Sequence, residues 1–177
     1  MVSLEHHIVF DIDANAYVTD TGNSRVEKFS GDGKFITKWG SKGSAEGSFN
    51  EPHSTAIDSR GNVYVSDMSN HRIQKFSTDG KYITQWGSKG SGQGQFLLPL
   101  GIATDSSDNI YVVDAGNSSV SQFANDGTLR RSVIPESHKG EAPSILEEVE
   151  VDQSDRIYIT DRGECNIKIF AVPIKSN

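Results

Sequence analysis

The chain predicts an all-β fold built from repeated four-stranded antiparallel sheets, and three observations carry that expectation. The first is a period. YVTD ends at Asp20, YVSD at Asp67, YVVD at Asp114 and YITD at Asp161, a constant step of 47 residues that Phe29, Phe76, Phe123 and Phe170 share. A fixed step of this size marks stacked structural repeats. The second is the content of each period: short β-branched and aromatic runs divided by Gly, Asn and Asp. The third is composition. Of 177 residues, 17 are glycine and only 34% are hydrophobic, which suits many short strands joined by tight turns.

In the first unit, the run from His7 to Asp11 and the run from Ala16 to Thr19 read as strands around a turn at Asp13-Ala14-Asn15. Asp20 to Asn23 breaks the second strand, and Arg25 to Phe29 makes a third. Gly31-Asp32-Gly33 is a hairpin signal, because glycine takes positive φ without steric cost, and Lys34 to Trp39 follows as the fourth strand. The second unit repeats this order from His53 to Gly87, and the third from Gly101 to Ile134. The fourth begins at Glu147 and has three strands; the tail Ala171-Val172-Pro173-Ile174 is too short and proline-broken for another. Between units lie the Gly/Ser-rich stretches 40–48 and 87–95, which in isolation resemble flexible linkers. Their recurrence in register, each running into Phe49 or Phe96 and then Pro52 or Pro99, makes them crossovers that the phenylalanine hooks down. The third crossover, 135–144, has lost this pattern.

Strand alternation gives each sheet two apolar faces: Val63 and Val65 point one way and Tyr64 the other. Sheets of this kind are stable when neighbours pack on both faces, and around an axis that arrangement is a β-propeller. The expected architecture is a single domain over 1–177, with blades at 4–40, 50–87, 97–134 and 145–174 and the last lacking a strand. Four blades fall at the low end of the usual range, so ring closure within one chain and association of chains to complete a ring are both open.

The segments GSF-x-x-P, AIDS-x-GN-VYVSD, NHRIQKF and DGKYITQWG, read from unit 2, resemble the NHL repeat, a propeller blade. The resemblance covers nearly the whole chain and implies the fold. It leaves function open, since propellers of this family act as protein-binding platforms, RNA readers, sensor domains and enzymes.

Propeller geometry rings the axis with the starts of the inner strands, at His6, His53, Leu100 and Glu147. Imidazole is a good zinc ligand and catalytic zinc commonly keeps three protein ligands, so His6, His53 and Glu147 are the candidate metal set. Pro52-His53-Ser54 is similar to the ligand motif of the peptidyl-hydroxyglycine amidating lyases, which implies zinc at His53 and, by equivalence, His6. A third histidine is absent, because Leu100 and Glu147 fill the remaining positions. The recurring Asp20, Asp67, Asp114 and Asp161 are expected to hold turns or pair with Arg25 and Arg72, since a catalytic site is rarely built four times. Loops on the axial face supply the candidate binding rim: Thr21, Asn23, Met68, Asn70, His71 and Asn117.

The first functional expectation is therefore a non-enzymatic scaffold that binds a protein or peptide through its rim loops, with no cofactor. The alternatives are a zinc-dependent lyase-like enzyme and a single-stranded RNA binder. A net charge of -7 disfavours nucleic acid, because phosphate neutralisation needs clustered Lys and Arg. No apolar run is long enough to span a bilayer, and the N-terminus lacks the basic start and apolar stretch of a signal peptide, so a soluble chain is expected. Cys165 is the single cysteine, and no intrachain disulfide can form.

Overall fold

The structure, a computed structural model, describes residues 7–134, 145–163 and 165–171. Fifteen strands form four sheets among the described residues. Blade 1 holds β1 (Ile8–Phe10), β2 (Ala16–Asp20), β3 (Arg25–Phe29) and β4 (Phe35–Trp39); blade 2 holds β5 (Pro52–Ile57), β6 (Val63–Asp67), β7 (Arg72–Phe76) and β8 (Tyr82–Trp86). Blade 3 holds β9 (Pro99–Thr104), β10 (Ile110–Asp114), β11 (Ser119–Phe123) and β12 (Leu129–Val133). Blade 4 has three strands, β13 (Leu146–Val151), β14 (Arg156–Asp161) and β15 (Asn166–Ala171). Within each blade the strands pair in chain order and antiparallel. The protein is a four-bladed β-propeller whose last blade has three strands among the described residues, as its repeats predict.

The turns explain why the meander forms at each repeat. After β5, Asp58 Oδ1 accepts the backbone N–H groups of Arg60 and Asn62, and its Oδ2 accepts Asn62 Nδ2 and the Tyr64 hydroxyl. Asp105 and Asp152 repeat these turn bonds after β9 and β13. The N–H donors and the Arg156 guanidinium hold the Asp152 carboxyl down at about 2. Burial, with the acceptor Asp58 beside it, pushes the Tyr64 phenol well above its usual value, so it stays a neutral donor. The position before β3, β7, β11 and β15 is equally constrained: Ser24, His71, Ser118 and Cys165 all take positive φ.

Three hydrophobic cores lie between successive blades. Tyr17 and Val26 of blade 1 meet Val63, Val65 and Phe76 of blade 2. On the opposite side of blade 2, Tyr64 and Ile73 meet Ile102, Ile110 and Phe123 of blade 3. Tyr111, Val113 and Val120 then meet Leu146, Val149 and Ile159. The alternation read from Val63-Tyr64-Val65 thus assigns each side chain to a different core. The hooks are equally clear. Phe49 and Phe96 are fully buried, and each rests on a glycine, Gly40 or Gly87, with φ near +100° and no space for a Cβ beside the ring. Trp39 and Trp86 pack across blade boundaries on Phe76 and Phe123.

A polar clamp fastens the first crossover to blade 2. Arg72 is buried; its Nε donates to Asp67 at 2.7 Å, and its terminal nitrogens donate to the carbonyls of Ser44, Ala45 and Ser48 and to Gln85 Oε1. Gln74 adds bonds to Ser48 O and Asp67. In blade 1 the equivalent Arg25 reaches Asp20 and Glu27 but is partly open to solvent.

The outer faces of the first and last blades are uncovered. Ile8 and Phe10 are 52% and 64% exposed, and Ile167 and Ile169 are each 62% exposed, whereas their counterparts inside the stack are buried or half-buried.

The clamp sets an expectation for stability. Arg72→Ala removes the cation from a buried carboxylate and should cost about 3–5 kcal/mol in urea unfolding. Arg25→Ala, at a more solvated pair, should cost less than about 1 kcal/mol. Equal losses would show that the clamp is not what distinguishes the two blades.

Candidate functional site

Two places gather functional side chains: the axis and the rim around the crossovers. At the axis, the inner strands β1, β5, β9 and β13 begin at one end of the propeller. His53, the second residue of β5, is buried, and its carbonyl accepts the Thr19 hydroxyl at 3.0 Å. Its Nδ1 lies 3.4 Å from Glu148 Oε1, and the Ser54 hydroxyl donates to Glu148 Oε2 at 3.5 Å. His7 stands beside this pair. Its Nδ1 accepts the Thr55 N–H at 3.3 Å, and its Nε2 lies 4.0 Å from Glu150 Oε1. Burial, and then the neighbouring His53, hold the His7 imidazole below its ordinary pKa.

This differs in detail from the set that spacing suggests. His6 lies outside the described residues. Glu147, equivalent to His53 by the repeat, makes no hydrogen bond or ion pair with the described residues, and the carboxylates at the axis are Glu148 and Glu150. Contact here runs across the axis from blade 2 to blade 4. The residue that meets His53 is Glu148, one position beyond its repeat equivalent Glu147. Sequence reasoning missed His7, Glu148 and Glu150; only a three-dimensional count across the axis brings them together. Among the described residues no group of three His, Cys, Asp or Glu side chains is placed to hold a metal ion. His53 and Glu148 offer two donors where catalytic zinc commonly takes three from the protein. The arrangement places two imidazoles beside two carboxylates, His53 with Glu148 and His7 with Glu150.

At the rim, the sequence-derived residues are engaged with the protein itself. Thr21 Oγ1 donates to Pro52 O, and Asn23 Nδ2 to Asp20. Asn70 Nδ2 donates to Gly43 O and Asp67, and Asn117 Nδ2 to Gly90 O and Asp114. His71 Nδ1 donates to Leu97 O at 2.9 Å, which fixes its tautomer. Met68 is half-buried, and its N–H is bonded to Glu51 O. These side chains tie crossovers to blades. The exposed rim groups lie next to them: Leu98 is 38%, Ile145 50% and Ile134 72% exposed. Aligning the repeats would have found two of them, because Leu98 and Ile145 stand where blade 2 has Glu51.

The NHL repeat family matches residues 49–76 and 96–123, which span β5 to β7 of blade 2 and β9 to β11 of blade 3. Two stretches of the chain, one in blade 2 and one in blade 3, are NHL repeats. No curated protein sequence matches it. Several solved structures share the fold of these repeats. Virginiamycin B lyase from Staphylococcus aureus is 15% identical with a TM-score of 0.67, over 96% of this chain and 56% of that one. A nidogen/laminin complex is 20% identical with a TM-score of 0.69, over 93% and 59%. A gluconolactonase from Xanthomonas campestris is 19% identical with a TM-score of 0.66, over 92% and 55%. The chain thus spans between half and two thirds of each. These likenesses concern the fold, and they join a protein-binding complex to two enzymes. No helix among the described residues is long and apolar enough to cross a membrane.

The axial cluster predicts a pH dependence. A folded-state pKa lowered at His7 means that the unfolded chain takes up the proton first. The stabilising contribution is then complete above the ordinary value of about 6.5 and is lost as pH falls below it. Thermal midpoints measured from neutral to mildly acidic pH should fall, and His7→Gln should flatten that fall. An unchanged slope in His7→Gln would place the acid sensitivity elsewhere.

Proposed function

We propose that the chain is a non-enzymatic propeller scaffold that binds a protein or peptide at its crossover rim, over blades 3 and 4. The observation that carries the reading is the exposure of Leu98, Ile134 and Ile145 around the starts of β9 and β13. Apolar side chains flanked by polar loops are a common composition for a recognition surface. In blade 2 the same rim position carries Glu51, so the apolar character belongs to blades 3 and 4 and not to the repeat as such. The nidogen/laminin complex, which shares the fold, is an assembly of two proteins. Peptides selected from a random library on the intact chain should lose about tenfold or more in affinity for the double variant Leu98→Glu, Ile145→Glu. Selected peptides that bind both proteins equally would remove the rim from consideration.

The same reading includes association of chains through the uncovered end faces. Blade 4 presents Tyr158, Thr160 and Ile167 at the repeat positions through which blade 3 grips blade 4, and the exposed Ile169 pairs in register with Tyr158. Blade 1 presents Ile8, Phe10 and Val18 at the positions through which blade 2 receives blade 1. The two faces are successive members of one interface type. Sedimentation should give a mass above the 19.3 kDa of one chain, and Ile169→Glu should return it to the monomer. A monomer at all concentrations would exclude this contact.

A further inference from the structure

Blade 3 keeps the frame of the blade 2 clamp but lacks the guanidinium around which that clamp is built. In register, Arg72, Gln74 and Gln85 of blade 2 become Ser119, Ser121 and Ser132. The crossover above them keeps its shape: Gly90 N bonds to Phe96 O and Phe96 N to Ser88 O, matching Gly43 with Phe49 and Phe49 with Ser41. The carbonyl groups of Ser91, Gly92 and Gln95 therefore occupy the positions from which Ser44, Ala45 and Ser48 accept the Arg72 guanidinium. Three long side chains have become three short ones, and a cavity of about 180 Å³ remains, lined by Ser91, Gly92, Gln95, Ser119, Ser121 and Ser132. Ser121 and Ser132 share a hydroxyl bond of 2.9 Å within it.

The anion of the clamp is also retained. Asp114, 1% exposed, pairs directly with Ser119 across β10 and β11. The equivalent aspartates each have a cation close by: Arg25 at 2.9 Å from Asp20, Arg72 at 2.7 Å from Asp67 and Lys168 at 3.0 Å from Asp161. Among the described residues Asp114 has none. It accepts the N–H groups of Leu97, Leu98, Gly116 and Asn117 and the Asn117 amide.

We propose that this cavity is a binding site for a guanidinium group. The lining selects the ligand class. Serine hydroxyls and the crossover segment surround the cavity, with Ile134 as its one large apolar side chain, and the buried Asp114 carboxylate, outside the lining but paired in register with Ser119, disfavours an anion. Carbonyl acceptors disposed around a plane suit the flat, forked donor set of guanidinium better than the point charge of an ammonium group. The blade 2 clamp shows the same frame holding that group. The chemistry stands independently of the peptide-binding rim. That reading enters only in the source of the group, which is an arginine of a bound partner or a free guanidinium compound.

Calorimetric titration of the intact chain with methylguanidinium chloride tests the site, with methylammonium and sodium chlorides at matched ionic strength as comparators. Methylguanidinium should bind saturably with Kd of about 1 mM, and methylammonium about tenfold more weakly or less. Ser119→Arg supplies the missing group internally and should abolish binding while raising the thermal midpoint; Ser121→Gln, a smaller change, should weaken binding. The Leu98→Glu, Ile145→Glu protein should bind methylguanidinium as the parent does, so failure of the rim leaves the pocket measurable. An acetylated Gly-Arg-Gly amide that binds more tightly than methylguanidinium identifies a partner's arginine as the source; one that binds no better identifies a free compound. No saturable methylguanidinium binding, or equal affinity in the parent and both serine variants, overturns the proposal and leaves a water-filled gap.

Discussion

A short sheet with two apolar faces is stable only between neighbours, and that constraint organises this protein. Each inner blade buries one set of alternating side chains against the blade before it and the other set against the blade after it, as Val63, Val65 and Tyr64 do in blade 2. The strands are about five residues long, so no single blade has enough apolar area to be stable alone. Stability must come from stacking. The crossovers matter for the same reason: Phe49 and Phe96 pin each connection into the boundary between blades, which fixes the rotation from one blade to the next.

The polar layer follows from the hydrophobic one. A crossover lying over a sheet edge brings its carbonyl groups close to buried strands, and those groups need donors. Blade 2 answers with Arg72, Gln74 and Asn70, which between them bond to four crossover carbonyls and to Asp67. Once this network is complete it is rigid, and substitution of one member leaves charges or carbonyls without partners. Blade 3 shows how such a network can be opened. Asp114 takes four backbone N–H groups as well as the Asn117 amide, so the carboxylate has partners before any cation arrives.

Much of the fold was legible because repetition makes structural residues visible. Asp58, Tyr64, Phe76, Gly80 and Trp86 recur at fixed positions, and each proves to hold a turn, a core or a blade boundary. The site was less legible, for two physical reasons. The axis joins residues from non-equivalent positions, so a count by period leads from His53 to Glu147 while the contact is to Glu148. At the rim, the polar residues typical of the repeat are used internally, as Asn70, His71 and Asn117 are, and the groups facing solvent are those that depart from it.

That second reason has a general form. In a repeat protein the recurring residues carry the cost of holding each unit to the next, so selection for a ligand has freedom only where a unit can lose a recurring residue without collapsing. Blade 3 meets this condition twice. Its outer strand ends in Val133 where blades 1 and 2 have tryptophan, and its clamp position carries serine where they have arginine. Phe96 still pins the crossover and Asp114 still holds the strand entry through backbone donors, so the frame survives both losses. The exposed Ile134 then stands at the edge of a polar cavity beneath the second crossover. Neither feature belongs to the repeat, and both arise where the hydrophobic hook alone is sufficient to hold the chain in place.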